Sequence, residues 1–154
     1  MDAKLVNPII DAFKELMPQM GFPDPKQLKI YLQGKNVLSK GVTIKVGFIQ
    51  QVRGNVIYNM SEETAKFIAS TMMMGVPVTK FGDLVQSALR ELGNMLTAHA
   101  ATSFTNLGLQ VDITTPKLLI GENPEVDDSD NYINVEMSVG EHKIDISICV
   151  DRAV

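Results

Sequence analysis

Two segments of the sequence, residues 11–18 and 87–94, follow one residue pattern and begin 76 positions apart (87 − 11) in a chain of 154 residues. Their first six positions each read acid or hydroxyl, alanine, apolar, base, glutamate, leucine. A repeat at about half the chain length constrains the fold strongly, because the two halves should then form similar units that pack together. The segments differ at their last position, where the first has Pro18 and the second has Asn94.

Hydrophobic periodicity gives each half the same order of elements, a helix followed by three strands. In the first half the helix covers residues 2–17, and the strands cover 28–33, 42–48 and 56–58. In the second half a long helix covers residues 81–104, and the strands cover 109–120, 133–139 and 144–150. A shorter helix that begins after Ser61 and stops near Gly75 connects the halves.

This order of elements predicts an α+β fold made of two pseudo-repeated halves. The six strands would form one mainly antiparallel sheet, with the helices, including the long one, packed on one face. Pro18 would end the first helix, and residues 50–55, which contain Gly54, would form a hairpin turn. Because 45% of the 154 residues are hydrophobic, the chain can bury one proper core, and we expect a single domain over residues 1–154.

The composition argues against several classes of function. The formal net charge is −4 and no basic stretch occurs, so we expect no nucleic-acid partner. No apolar run is long enough to cross a bilayer, and the first residues lack the apolar block of a signal peptide. We therefore expect a cytoplasmic protein without a membrane partner.

The sequence offers few metal ligands. Cys149 is the single cysteine, which rules out an intrachain disulfide and a cysteine cluster, and its alternating surroundings indicate an ordinary strand residue. His99 and His142 lie in different predicted elements, so we expect no metal site, although the fold could still bring them together. Residues 121–131 hold five acids, but the run at 127–130 lacks the later Gly and Glu of a calcium loop. We expect a solvated acidic loop there.

The long helix carries a polar stripe opposite its core face. At about 100° per residue, Ser87, Glu91 and Asn94 fall within roughly 60° of one another. The line continues to Ala98 and Ala101, whose small side chains leave space beside Asn94 for a partner surface. The opposite side is apolar and would face the core, through Val85, Leu89, Leu92, Leu96 and Ala100.

The spacing Ser-x-x-x-Glu-x-x-Asn, followed by a proline 22 residues later (116 − 94), resembles the signature of the CheC and CheX chemotaxis phosphatases. The matching residues are Ser87, Glu91, Asn94 and Pro116. The likeness covers nearly the whole chain and includes residues 1–8, the turn at Gly54 and the helix at 63–69. CheC-type members carry the motif in both halves and CheX-type members in one, so Pro18 favours the CheX side.

The resemblance implies a phosphatase that accelerates hydrolysis of the aspartyl phosphate of a CheY-like response-regulator receiver domain. Asn94 would then orient the attacking water, and Glu91 would pair with a lysine of the partner's active site. Ser87 would be a contact at the rim, and Ala98 and Ala101 would complete the partner-binding surface.

The family also implies a cofactor arrangement and an assembly. The receiver domain would supply the Mg²⁺, so the chain would need no cofactor of its own. A homodimer would form through sheet edges, for which the strand at residues 42–48 and the hairpin at 133–150 are both candidates.

Two other interpretations of the stripe compete with the enzymatic one. In the first, Glu91 and Asn94 only belong to the solvent-exposed face of an amphipathic helix and bind no partner. Alternatively, the chain could be a non-catalytic interaction module, related to the middle domain of the flagellar switch proteins, that binds a receiver domain or motor component. Such a scaffold has no reason to keep the Glu-x-x-Asn pair, and this pair therefore favours the enzyme.

Overall fold

The structure, a computed structural model, describes residues 3–34, 37–127 and 131–153. A 3-10 turn at Ala3–Leu5 precedes three helices, which are α1 Val6–Gln19, α2 Glu62–Met72 and α3 Asp83–Asn106. The strands within these ranges are β1 Pro25–Gly34, β2 Val37–Gln50, β3 Val52–Met60, β4 Val111–Ile113, β5 Lys117–Asp127, β6 Tyr132–Val139 and β7 His142–Arg152. The element order agrees with the prediction, apart from the division of one expected strand into β4 and β5.

The strands form one antiparallel sheet in the order β1-β6-β7-β3-β2, and β4 and β5 both pair with the remaining side of β2. The sheet thus has the six predicted strand positions, and the three-residue β4 and the eleven-residue β5 share the last. The division falls at residues 114–116, where Pro116 has no N–H group to donate to a ladder.

The pairing of the strands confirms the two pseudo-repeated halves. Hairpin β2–β3 of the first half corresponds to hairpin β6–β7 of the second, and β3 and β7 pair at the centre. The first strand of each half joins the other half's hairpin, because β1 pairs with β6 and β5 pairs with β2. Neither half completes its own share of the sheet, so the two are interdependent.

The helices cover one face of the sheet, as predicted. Phe13 of α1 and Leu89 of α3 are fully buried in one apolar cluster together with Ile44 and Ile146 of the sheet. Side chains alternate between the two faces of a strand, and alternate residues of the central strands β2, β3, β6 and β7 therefore contribute to this core. The 33 buried members of the cluster include residues from all three helices, which makes the core common to both halves.

The opposite face of the sheet combines hydrogen-bonded polar groups with a small buried apolar cluster of Val37, Ile57 and Tyr132. The amide of Asn59 donates from Nδ2 to the carbonyl of Leu38 over 2.7 Å, and its Oδ1 accepts from the N–H of Lys40 over 2.8 Å. Lys40 also forms an ion pair with Asp145, whose residue exposure is 6%. The buried polar groups of this face therefore have partners within the sheet.

Two local predictions in the first half are wrong in detail. Helix α1 continues through Pro18 to Gln19, since the φ of proline suits a helix and only one N–H is lost near the end. The expected turn at residues 50–55 is much shorter, because β2 ends at Gln50 and β3 begins at Val52. Gly54 therefore lies in β3, where a Cβ would meet the carbonyl oxygen of Cys149 at 1.9 Å.

The predicted acidic loop at residues 121–131 is also partly wrong. Strand β5 continues to Asp127 and keeps pairing with β2, with Asp127 opposite Val37. An edge strand tolerates charges and proline, because only one of its sides pairs with a neighbour. Residues 128–130, the rest of the acidic run, lie outside the described residues.

Both candidate dimer edges from the sequence prove to be interior. The strand at residues 42–48 is part of β2, which lies between β3 and the β4/β5 pair. The hairpin at 133–150 is β6–β7, which is flanked by β1 and β3. The edges of the sheet are instead β1 and β4/β5. The first strand of each half pairs with the outer side of the other half's hairpin, so the hairpins have no free edge.

Candidate active site

Helix α3 is oriented by a continuous buried face. Its N-terminus is at Asp83. The negative charge of this residue in the first turn interacts favourably with the positive end of the helix dipole. Four apolar residues at helical spacing are at most 6% exposed and face the sheet and α1, namely Val85, Leu89, Leu92 and Leu96. The core face predicted from the sequence is therefore correct, and the residues on the opposite side point outward.

The predicted polar stripe lies on this outward side. Ser87 and Glu91 are exposed, and Asn94 is half-buried. Among the described residues, no hydrogen bond or ion pair engages the carboxylate of Glu91 or the carboxamide of Asn94. Both groups thus have their hydrogen-bonding capacity available for a partner molecule.

The residue before Asn94 brings the helix close to the sheet. A Cβ atom at Gly93 would lie 2.5 Å from Cγ2 of Ile44 in β2, far inside van der Waals contact. The corresponding residue of the first half is Met17 of α1, whose side chain is fully buried. Glycine at this position lets α3 approach β2 closely, and this contact determines how far Asn94 stands above the sheet.

One turn after Asn94, a buried hydrogen bond joins α3 to the sheet. The hydroxyl of Tyr58 in β3 lies 3.0 Å from Oγ1 of Thr97, and both residues are at most 1% exposed. Burial raises the pKa of Tyr58 well above its ordinary value, because the phenolate would lose its hydration, and the hydrogen bond to Thr97 offsets this only in part. This end of the site is thus rigidly attached to the core.

The two alanines predicted to flank the site differ in position. Ala98 is half-buried at the surface, beside the stripe. Ala101 is 9% exposed and belongs to the apolar core cluster, so it offers little surface to a partner. Helix α3 packs against β4 as well as β2.

The equivalent stripe of the first half is engaged within the chain. Glu15, the counterpart of Glu91, places its Oε2 2.8 Å from Nε2 of His99 on α3. Pro18, the counterpart of Asn94, is exposed and has no amide side chain. The sequence carries no signal for the contact between Glu15 and His99, because these residues are 84 positions apart.

The two histidines do not meet. Nδ1 of His142 lies 3.3 Å from Oγ1 of Thr64, and its ring stacks on Phe67 at 4.1 Å between centroids. Within the described ranges, no group of three or more His, Cys, Asp or Glu residues could hold a metal ion. In the same ranges no helix is long and apolar enough to cross a membrane.

Comparison with known proteins identifies the family. The family model described as chemotaxis phosphatase CheX matches residues 42–138, which is 97 of the 154 residues (138 − 42 + 1). The chain belongs to the CheX family. The matched range includes the whole stripe from Ser87 to Asn94 and also Pro116, which is half-buried between β4 and β5.

Individual CheX proteins resemble the chain over nearly their full length. The CheY-P phosphatase CheX of Thermotoga maritima is 29% identical over 151 residues, which are 97% of each chain. A crystal structure of CheX from Desulfovibrio desulfuricans has a TM-score of 0.85 at 14% identity, covering 96% of this chain and 99% of that one. The CheX-CheY-BeF3-Mg²⁺ complex from Borrelia burgdorferi gives a TM-score of 0.80 at 26% identity, covering 96% and 98%.

Proposed function

We propose that this chain is a phosphatase that accelerates hydrolysis of the aspartyl phosphate on a CheY-like receiver domain. The observation that carries the proposal is the pair of exposed Glu91 and half-buried Asn94 on the outward side of α3, a helix whose opposite face is buried. The Thermotoga maritima relative, which aligns over 97% of this chain, is named a CheY-P phosphatase, and this supports the same activity here.

Asn94 suits a catalytic role in which the attacking water is positioned. An aspartyl phosphate is already labile, so an auxiliary protein only needs to hold a water in line with the phosphorus and exclude other geometries. A carboxamide can donate to and accept from that water, and it carries no charge that would repel the phosphoryl oxygens. Its attachment beside Gly93 and Thr97 gives the side chain a rigid base.

Glu91 suits a docking role. It lies three residues before Asn94, which is about 4.5 Å along the helix axis, so one partner surface can contact both side chains. We propose that its carboxylate pairs with a lysine in the active site of the receiver. Such a charge-assisted hydrogen bond fixes orientation as well as affinity.

The remaining stripe residues complete the contact surface in this proposal. Ser87, one turn before Glu91, would touch the partner at the rim. Ala98, half-buried on the same side of the helix, would leave room for a partner loop beside Asn94. The buried position of Ala101 makes its predicted partner contact minor.

We propose further that the chain contributes no metal and that the receiver supplies the Mg²⁺ for the reaction. Within the described residues the chain has no cluster that could bind such an ion. The metal would neutralise the phosphoryl oxygens while Asn94 acts on the water. With a CheY-like substrate, the proposed compartment is the cytoplasm.

A homodimer through the β1 edge is also part of the proposal. Four large apolar residues in a run of five along β1 are 45–75% exposed, namely Leu28, Ile30, Tyr31 and Leu32. At the other end of the sheet, Leu119 and Ile120 of β5 are less exposed, at 39% and 47%. Pairing β1 with its copy would bury these side chains and satisfy the strand's outer backbone groups.

The decisive experiment measures the lifetime of the phosphate on a panel of CheY-like receivers with Mg²⁺. The native protein should shorten it, and Asn94→Ala should lower the rate at saturation by about 10²-fold or more, the range typical of a positioned catalytic group. The variant's thermal unfolding should match the native protein. A native protein that binds receivers without changing the lifetime would instead be the non-catalytic interaction module.

A further inference from the structure

The first turn of α3 exposes a large apolar side chain next to the proposed active site. Leu84 is 72% exposed, whereas the other leucines of α3 are at most 1% exposed. It precedes Ser87 by three residues and Glu91 by seven, and these spacings place all three on one face of the helix. An apolar residue therefore precedes the polar stripe on the same face of the helix.

A row of apolar side chains begins at Leu84 and runs along α3 beside the polar residues. Ala88 and Met95 are both half-buried, and helical geometry places them within about 40° of Leu84 around the axis. The outward side of α3 thus presents two parallel rows, one with hydrogen-bonding groups and one with apolar groups. A partner that contacts Glu91 and Asn94 would meet both rows at once.

The size of protein interfaces decides whether Leu84 would lie inside such a contact. Seven residues of helix separate it from Glu91 by about 10 Å along the axis. A standard interface covers about 800 Å² on each partner, equivalent to a disc of about 16 Å radius. A receiver domain centred on Glu91 would therefore cover Leu84 and remove it from water.

We propose that Leu84 is the apolar anchor with which this surface binds the receiver domain, a role that rests on the proposed phosphatase function. The receiver would present an apolar patch beside its charged phosphorylation site, and Leu84 would bury against that patch. Leu84 is then a positioning residue: it sets the affinity for the receiver, while Asn94 acts on the water.

The test uses each receiver that the phosphatase assay identifies as a substrate, activated with beryllofluoride and Mg²⁺. Leu84→Ser should weaken the Kd by about tenfold or more, as expected for the lost burial of a leucine side chain, and leave kcat unchanged. Leu84→Met should restore the affinity. Leu107→Ser is the matched control, because Leu107 is 60% exposed at the opposite end of α3, outside the stripe.

The outcomes separate this inference from the function on which it rests. A native protein that neither binds nor hydrolyses any receiver would overturn both. If the native protein is active and Leu84→Ser keeps its Kd within twofold, the function stands and the anchor is wrong. The anchor is equally wrong if Leu84→Ser changes only the oligomeric state in light scattering, because a second copy of the chain would then occupy the surface.

Discussion

Gly93 and Ile44 touch where α3 crosses β2, and a side chain at Gly93 would place its Cβ 2.5 Å from Cγ2 of Ile44. Ile44 is fully buried and branched at Cβ, so its methyl group has little freedom to move. This contact sets the height of the helix above the sheet at the residue next to Asn94. The geometry of the candidate site thus depends on a glycine that contributes no chemistry.

Replacing this glycine should destabilise the protein. In Gly93→Ala the better helix propensity of alanine contributes about 1 kcal/mol, but overpacking against Ile44 costs about 1–3 kcal/mol. We expect the free energy of unfolding in urea to fall by up to about 2 kcal/mol and phosphatase activity to fall with it. Gly82→Ala is the control, because a Cβ there would meet no atom within 4 Å. A Gly93→Ala variant that is more stable than the native protein by about 1 kcal/mol, the full helix-propensity gain, would refute the close contact.

Alkaline pH should weaken the attachment of α3 through Tyr58. Because burial holds its pKa well above the usual value of about 10, the unfolded chain loses the phenol proton at lower pH than the folded chain. The free energy of unfolding should therefore fall as pH rises above about 10, by up to about 1.4 kcal/mol per pH unit from this residue. Urea titrations at a series of pH values measure that slope.

The contribution of Tyr58 to this slope can be isolated with two variants. Tyr58→Phe should be less stable at neutral pH, because Thr97 loses its buried hydrogen-bond partner, yet should show a shallower alkaline slope. Tyr31→Phe is the control for the alkaline slope, because it removes a phenol that is 45% exposed and that also accepts a hydrogen bond, from Nδ2 of Asn134. The same alkaline slope in Tyr58→Phe and in the native protein would contradict the assignment.

Reversing the charge of Glu91 should act on binding more than on chemistry. Glu91→Lys would place an ammonium against the receiver's lysine, and we expect the Kd for the activated receiver to rise at least tenfold, about 1.4 kcal/mol. Glu141→Lys makes the same charge change at an exposed residue of the β6–β7 turn and serves as the control. Full affinity in Glu91→Lys, measured by calorimetry, would exclude the docking role.

A substitution that introduces a charge on β1 should dissociate the proposed homodimer. Leu32, which is 75% exposed, is the most exposed of the four apolar residues on that edge strand. We expect Leu32→Lys to shift the molar mass in light scattering from dimer to monomer, because a lysine in the paired edge would lose its hydration and the apolar contact of Leu32. Leu119→Lys, on β5 at the other end of the sheet, should leave the mass unchanged. The opposite pattern would assign the interface to β5.

Much of the fold was predictable because it depends on local patterns. Helical and alternating periodicity identified the helices and all strand positions, and the pattern shared by residues 11–18 and 87–94 indicated the two halves. The same periodicity separated the buried face of α3 from the stripe that carries Ser87, Glu91 and Asn94. Such features are readable because each residue's exposure follows from its own position along a helix or strand.

The errors arose where contacts between distant segments override local pattern. The interior position of β2 and of hairpin β6–β7 follows from the exchange of β1 and β5 between the halves, and spacing within a strand carries no information about its neighbour. The extension of β5 to Asp127 has the same origin, since its backbone pairs with β2 whatever its side chains are.

The sequence by itself determined the repeat, the order of elements and the side of α3 that faces water, because these depend on residues close together in the chain. Only the tertiary structure decided whether the glutamate of each half has a partner within the chain. It places His99 against Glu15 in the first half and leaves Glu91 without a described partner in the second. The reason is physical: this pairing joins residues 84 positions apart, and only packing of α1 against α3 brings them within hydrogen-bond distance.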